Sequence, residues 1–219
     1  MKKLLMLLSG ILLLSGCANQ QMPSYDYSAL KEGKPKSILV VLPVNNSVDV
    51  KADTSVLARA TYPLAELGYY IYPVSLMDEV FKQNGLTDGN AIRSANIKKI
   101  YDIFGADSIL YINMDKYGTS YKVFDSVTEV ELEGKLVDLK TGKTLWEGTG
   151  RFAEGSTHSN DGTLVALVTA AVSQVIDTTK DKGYEVSASA MSSLIHLGRN
   201  DGLLVGPRHP SYGKPEVKK

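Results

Sequence analysis

Near residue 115 the spacing of apolar residues changes, and this change restricts the fold more than any other feature of the chain. Before it, short apolar runs alternate with stretches of helical spacing. Residues 38–44 form a continuous apolar run whose length and β-branched content predict a strand buried on both faces, as in a sheet covered by helices. Residues 69–74 and 108–112 read as two further strands. Strand, helix, strand, helix, strand is the pattern of βαβ units with parallel pairing. After Gly118 the period falls to two: Tyr121 and Val123, then Val127, Val130 and Leu132, then Leu136, Val137 and Leu139, then Leu145 and Trp146. Residues 138–143, containing Lys140-Thr141-Gly142-Lys143, give a hairpin signal within that stretch. The expected class is α/β: a mixed sheet with βαβ units followed by an antiparallel meander, with helices packed on the sheet.

The helices take their boundaries from capping chemistry. Asp53 or Thr54 is the expected N-cap of a helix running to Leu67 and closed by Gly68, with Pro63 expected to kink or split it. Ser75 is the expected cap of a helix through Met77, Val80 and Phe81. Residues 85–90 read as a turn, and Ile97, Ile100, Tyr101 and Phe104 as a helix stopped by Gly105. Asp125-Ser126 reads as a turn and residues 155–162 as a polar loop. Residues 163–176 predict a helix of apolar and small residues, too short to cross a membrane core that needs roughly 20 apolar residues. A last amphipathic helix is expected from about Tyr184 to His196. The tail from Gly206, punctuated by Pro and Gly, reads as extended.

The first residues carry a different signal. Lys2 and Lys3 precede an apolar run, residues 4–14, that ends in Ser15-Gly16-Cys17. A basic start and a short apolar region are the pattern of a secretory signal. The ending Leu14-Ser15-Gly16-Cys17 resembles the bacterial lipobox, which implies diacylglyceryl transfer to the Cys17 thiol, cleavage between Gly16 and Cys17, and acylation of the new amino group. A thiolate is the natural nucleophile for that attachment. Cys17 is the only cysteine, so no disulfide forms within the chain. Ala18, in place of an inner-membrane-retaining aspartate, directs the expectation to the outer membrane, with the domain in the periplasm or at the cell surface. Cleavage removes two lysines and no acids, leaving 22 basic and 24 acidic side chains, a net charge of −2. That balance offers no footprint for nucleic acid. The expected organisation is a signal peptide at 1–16, a lipidated flexible tether at 17–36, an α/β domain at 37–198 and an extended tail at 199–219. As a coil the tether would average roughly 25 Å from end to end, and Tyr25 and Tyr27 offer rings that could dock on the domain.

No catalytic constellation emerges. His158, His196 and His209 stand apart, without the close pairing of a zinc site. No serine lies in a Gly-x-Ser-x-Gly elbow, which makes a hydrolase the least favoured class. Gly148-Thr149-Gly150 falls in a predicted strand, not before a helix, and reads as a strand edge or bulge and not a phosphate loop. Asp102, Asp107 and Asp115 flank the third strand as ordinary element ends. Twelve tyrosines are many for this length. Their apolar bodies and polar tips suit interfaces, and Tyr62, Tyr69, Tyr70, Tyr117 and Tyr121 are taken as a candidate binding surface.

Several segments resemble one family: Tyr62-Pro63-Leu64-Ala65-Glu66-Leu67-Gly68-Tyr69-Tyr70, Phe81-Lys82-Gln83-Asn84-Gly85-Leu86-Thr87, Phe104-Gly105-Ala106-Asp107, Tyr117-Gly118-Thr119-Ser120-Tyr121, Val137-Asp138-Leu139-Lys140-Thr141-Gly142-Lys143 with Leu145-Trp146, and residues 198–208. They are similar to Gram-negative lipoproteins of unknown function, of the meningococcal vaccine-candidate surface type. The resemblance implies a domain like the N-terminal domain of TolB. It also implies partners among envelope proteins, with a CsgG-like lipoprotein as one candidate and a homodimer as another arrangement. No catalytic residues and no cofactor come with it; the covalent lipid on Cys17 is the one attached group. The expectation is a non-enzymatic binding or assembly component of an envelope transport or secretion complex. The alternative is a periplasmic binding module for a small molecule, lipid or cell-wall fragment.

Overall fold

Residues Ser37–Val40 (β1) form the central parallel strand, and in the computed structural model, which describes residues 25–122, 125–157, 182–196 and 201–214, its side chains are sealed on both faces. Ile38 and Leu39 are fully buried. The apolar run predicted as one strand divides at Pro43, which has no N–H to give a ladder. It resumes as Val44–Asn45 (β2). Next comes Ala52–Glu66 (α2), preceded in the chain by the short helix Ser28–Gly33 (α1). The expected caps Asp53 and Thr54 lie inside α2; the carboxylate of Asp49 accepts the Lys51 N–H at 2.8 Å and starts the turn earlier. Pro63 does not split α2; it lies in the last four residues, so the helix has almost run its length before the proline ring disturbs it.

Tyr70–Ile71 (β3) is shorter than expected and pairs parallel with β1, Ile38 opposite Ile71. Val74–Gln83 (α3) begins on Pro73, whose carbonyl accepts from Leu76 and Met77, so Ser75 sits within the helix and caps nothing. The turn expected over residues 85–90 contains a helix start: Asp88 accepts from the N–H groups of Asn90 and Ala91, both at 2.9 Å, and caps Gly89–Ser94 (α4). Ile97–Phe104 (α5) is as read, capped by Asn96 and ended by Gly105 at φ +65°.

Ser108–Lys122 (β4) pairs parallel with β1 and β2 on one side and antiparallel with Asp125–Asp138 (β5) on the other. Thr144–Thr157 (β6) completes the sheet, in the order β3-β1-β4-β5-β6 with β2 also on β4. The mixed α/β sheet is therefore as the periodicity required. Two expected turns move. Asp125 and Ser126, expected as a turn, pair with Lys122 and Tyr121 and belong to β5. Residues 155–157 belong to β6 and not to a loop. The hairpin at 138–143 closes as expected, with Asp138 accepting from the N–H groups of Lys140 and Thr141 at 3.0 and 2.8 Å.

Lys182–Ile195 (α6) packs on β4, β5, β6 and α2. Val130, Leu132, Leu136 and Trp146 meet Val186, Ala190, Met191 and Leu194 in one core. The approach is backbone to backbone at Gly150, where a Cβ would lie 2.5 Å from the Leu194 nitrogen and 2.6 Å from the Ala190 oxygen. Gly150 thus serves close helix–sheet packing, while Gly148 leaves room for the Trp146 ring. Gly150→Val is expected to lower stability by about 1–3 kcal/mol through overpacking. Urea denaturation reads this directly, and an unmoved midpoint would contradict the packing of α6.

The chain ends depart most from expectation. Tyr25, Tyr27 and α1 lie against the domain, with Leu30 buried. The tail is not extended: residues 207–213 run through consecutive turns. Leu203 is fully buried, and Gly206 and Arg208 donate to the carbonyls of Leu67 and Gly68 at 2.7 and 3.1 Å. The 1–16 segment, Gly16, Cys17, His158 and the helix read at 163–176 lie outside the described residues.

Candidate functional site

The five tyrosines proposed as a surface are not brought together. Tyr69 and Tyr117 are buried. The Tyr69 hydroxyl donates to the Leu204 carbonyl at 2.7 Å, and burial pushes its phenol well above the ordinary range, so it stays a neutral donor. The Tyr117 ring fills the space beside Gly183, where a Cβ would sit 2.5 Å from it. Tyr62 is 74% exposed on α2, while Tyr70 stands on β3 with Tyr72 edge-on at 5.2 Å and the Arg208 guanidinium 5.2 Å from its ring. Tyr121 pairs through its backbone with Ser126, and its side chain lies outside the described residues. Tyr69 and Tyr117 are core pieces here, so of the five only Tyr62 and Tyr70 present exposed rings among the described side chains.

The geometry instead builds a groove on the sheet face away from α6. Alternation decides which residues reach it: Leu132 and Leu136 are buried among the core residues, so Glu133 and Lys135 point the opposite way. Register then sets two rungs across β4, β5 and β6. Tyr111, Lys135 and Glu147 form one, and Asn113, Glu133 and Thr149 the next. Lys135 and Glu147 pair at 2.8 Å. From α4 the Arg93 guanidinium lies 5.4 Å from the centre of the Tyr111 ring. Burial raises the Tyr111 phenol, against the opposing pull of Arg93, so a neutral hydroxyl faces the groove at physiological pH. Tyr25 and Asp201 complete the lining, and the volume is about 530 Å³. The sequence held a signal for this floor, the polar alternation at 133, 135, 147 and 149, but the register was needed to align it.

Farther along the same face, Lys116 pairs with Glu131 at 3.0 Å and Glu129 at 3.7 Å, and Arg151 pairs with Glu129. Glu131 and Glu129 together raise the Lys116 ammonium above its ordinary range. Being exposed, these pairs order side chains more than they stabilise the fold. The outer edge of β6 is a second feature. The Glu147 N–H turns outward to the Tyr25 hydroxyl at 2.8 Å. By alternation the N–H groups of Arg151, Ala153 and Gly155 point the same way, and no strand among the described residues pairs with that edge.

The histidines and the aspartates flanking β4 lie elsewhere or serve the fold. His196 is exposed at the end of α6, and His209 accepts the Ser211 N–H at 3.1 Å in the tail. Asp107 is structural: its carboxylate accepts from the Lys36 and Ser37 N–H groups and from the Ser37 hydroxyl at 3.0–3.1 Å. Among the described residues no three His, Cys, Asp or Glu side chains converge on a metal position.

Residues 25–208 match the GNA1162-like lipoprotein family. A lipoprotein of Neisseria meningitidis serogroup B is 46% identical over 208 residues, 95% of this chain and 97% of that protein. The crystal structure of lipoprotein GNA1162 from Neisseria meningitidis, 46% identical, aligns with a TM-score of 0.54 over 65% of this chain and 99% of that one. A PelC dodecamer from Paraburkholderia phytofirmans aligns at 14% identity and a TM-score of 0.42 over 80% of this chain and 95% of that one. That last likeness is too distant to bear on function.

Proposed function

This chain belongs to the GNA1162-like lipoprotein family, and we propose that it is an outer-membrane lipoprotein, acylated at Cys17, that acts without catalysis as a binding or assembly component of an envelope transport or secretion complex. The observation that carries this reading is the outer edge of β6. A bare edge is a template for another strand, and proteins that do not use one usually blunt it with proline, lysine or a covering element. Among the described residues no strand pairs with this edge, and residues 151–155 are exposed and contain no proline or lysine, Arg151 and Glu154 being their charged members. Main-chain hydrogen bonds from a partner strand would supply affinity and the alternating side chains register.

A photo-crosslinking side chain at Ala153, in intact cells, is expected to capture one recurrent envelope protein. The same group at Thr54, exposed on α2, is expected to capture none. With the crosslinker kept at Ala153, Gly155→Pro deletes a neighbouring outward N–H and leaves the ladder to β5 in place, so it should abolish the adduct. Equal labelling at both positions, or an adduct that survives the proline, would sink the reading. The groove favours a second reading, a periplasmic module for a small molecule, lipid or cell-wall fragment. Calorimetric titration with muropeptides tests it, with Arg93→Ala expected to remove any heat of binding.

A further inference from the structure

We infer that the corner of the domain at Tyr25 is its membrane-proximal end, and that the end of β4, β5 and β6 bearing residues 122, 125 and 157 is excluded from standing on the bilayer. The inference rests on acylation of Cys17. Its second premise is where the chain becomes part of the folded body. The sequence alone assigns the whole of 17–36 to a tether. In the structure the tether stops much sooner.

Residue 25 is already fastened. Its hydroxyl accepts the Glu147 N–H at 2.8 Å, and its ring lies 4.7 Å from that of Tyr27. The Tyr27 hydroxyl donates to the Gly202 carbonyl, Leu30 is 4% exposed, and Glu32 pairs with Lys143 at 2.7 Å. Seven residues, 18–24, therefore separate the acylated cysteine from the body. Fully extended, that connection reaches at most roughly 28 Å. As a coil it would average about 15 Å.

The domain is longer than that connection. From Glu147, beside Tyr25, β6 runs ten residues to Thr157. At about 3.3 Å per residue, this is about 33 Å. Were the far end to rest on the bilayer with its strands upright, Tyr25 would be lifted beyond the full reach of the tether. The opposite arrangement needs no extension at all. Orientations between the two are limited by the bilayer, which excludes a rigid body pivoting about one attached corner from every pose that would push it into the lipid. The groove, with Tyr25 in its lining, then opens near the membrane, and the outward row of β6 runs away from it.

The full acylated chain in liposomes carrying a nitroxide-labelled headgroup lipid tests this. Cys17 is consumed as a thioether, so a single fluorophore can be placed through Ser28→Cys or Glu154→Cys, both exposed positions. The probe at 28 is expected to be quenched severalfold more than the probe at 154. Inserting twelve Gly/Ser residues after Pro23 should bring the two close to equality without altering the fold. Equal quenching in the natural-length chain, or a difference that survives the insertion, would overturn the inference alone. Failure of the acylated fraction to float with the liposomes would overturn the anchor at Cys17 and this inference with it.

Discussion

A chain ending at Asn200 will not reach the native state, whereas one ending at Lys214 will. The tail begins its work at once: the carbonyl of Asp201 accepts the indole N–H of Trp146 at 2.8 Å, and Trp146 is fully buried. The Leu204 carbonyl does the same for the buried Tyr69 hydroxyl. Removing both acceptors strands two donors at about 1–3 kcal/mol each. Leu203 is fully buried, and losing such a side chain costs about 2–5 kcal/mol. The backbones also touch, because Gly68 at φ +86° has room for His209 only by lacking a Cβ, which would lie 2.3 Å from the His209 nitrogen. These losses together rival the whole stability of an ordinary domain, about 5–15 kcal/mol. Circular dichroism on heating should show no cooperative transition for the chain ending at 200. A transition within a few degrees of the full chain would show that the tail is an accessory.

That tail also marks the limit of what sequence could reveal. The βαβ units and the meander were legible because their signal is periodic: Ile38 to Val41 and Ile109 to Ile112 are continuous runs, and Leu132, Leu136 and Trp146 keep strict register on the α6 side. The clasp of Tyr25 and Tyr27 and the tail around Leu203 have no period. They are held by single side chains meeting main-chain groups far away in sequence, as Tyr27 meets Gly202. The same chemistry misdirected the search for a site. Tyr69 and Tyr117 carry the composition of an interface residue but are used as buried pieces, Tyr69 with its hydroxyl on the Leu204 carbonyl. The groove depends on Arg93 of α4 reaching Tyr111 of β4, and the helix that places Arg93 starts at the end of a segment, residues 85–90, that reads as a turn. Capping residues at 53, 54 and 75 were plausible donors of order, yet Asp49 and Pro73 started those helices first.

On the proposed anchor, replacing Cys17 by serine is expected to abolish acylation and to remove the protein from the outer-membrane fraction entirely. The effect is all-or-none because the chemistry and the energetics both lack an intermediate. A thiolate attacks where a serine hydroxyl, far less acidic and less nucleophilic, does not. Two or three acyl chains at about 0.8 kcal/mol per buried CH₂ would hold the proposed acylated protein effectively permanently, whereas without them no lipid would hold it. The fold should not notice. Cys17 precedes Tyr25, where the described residues begin, so the thermal transition of the soluble domain is expected to be the same in both proteins. Metabolic labelling with palmitate and density fractionation of membranes read the two effects separately. A serine variant that still co-fractionates with the outer membrane would mean that the domain itself binds there. The edge of β6 or the groove beside Tyr25 would then have to provide the attachment that is here assigned to lipid.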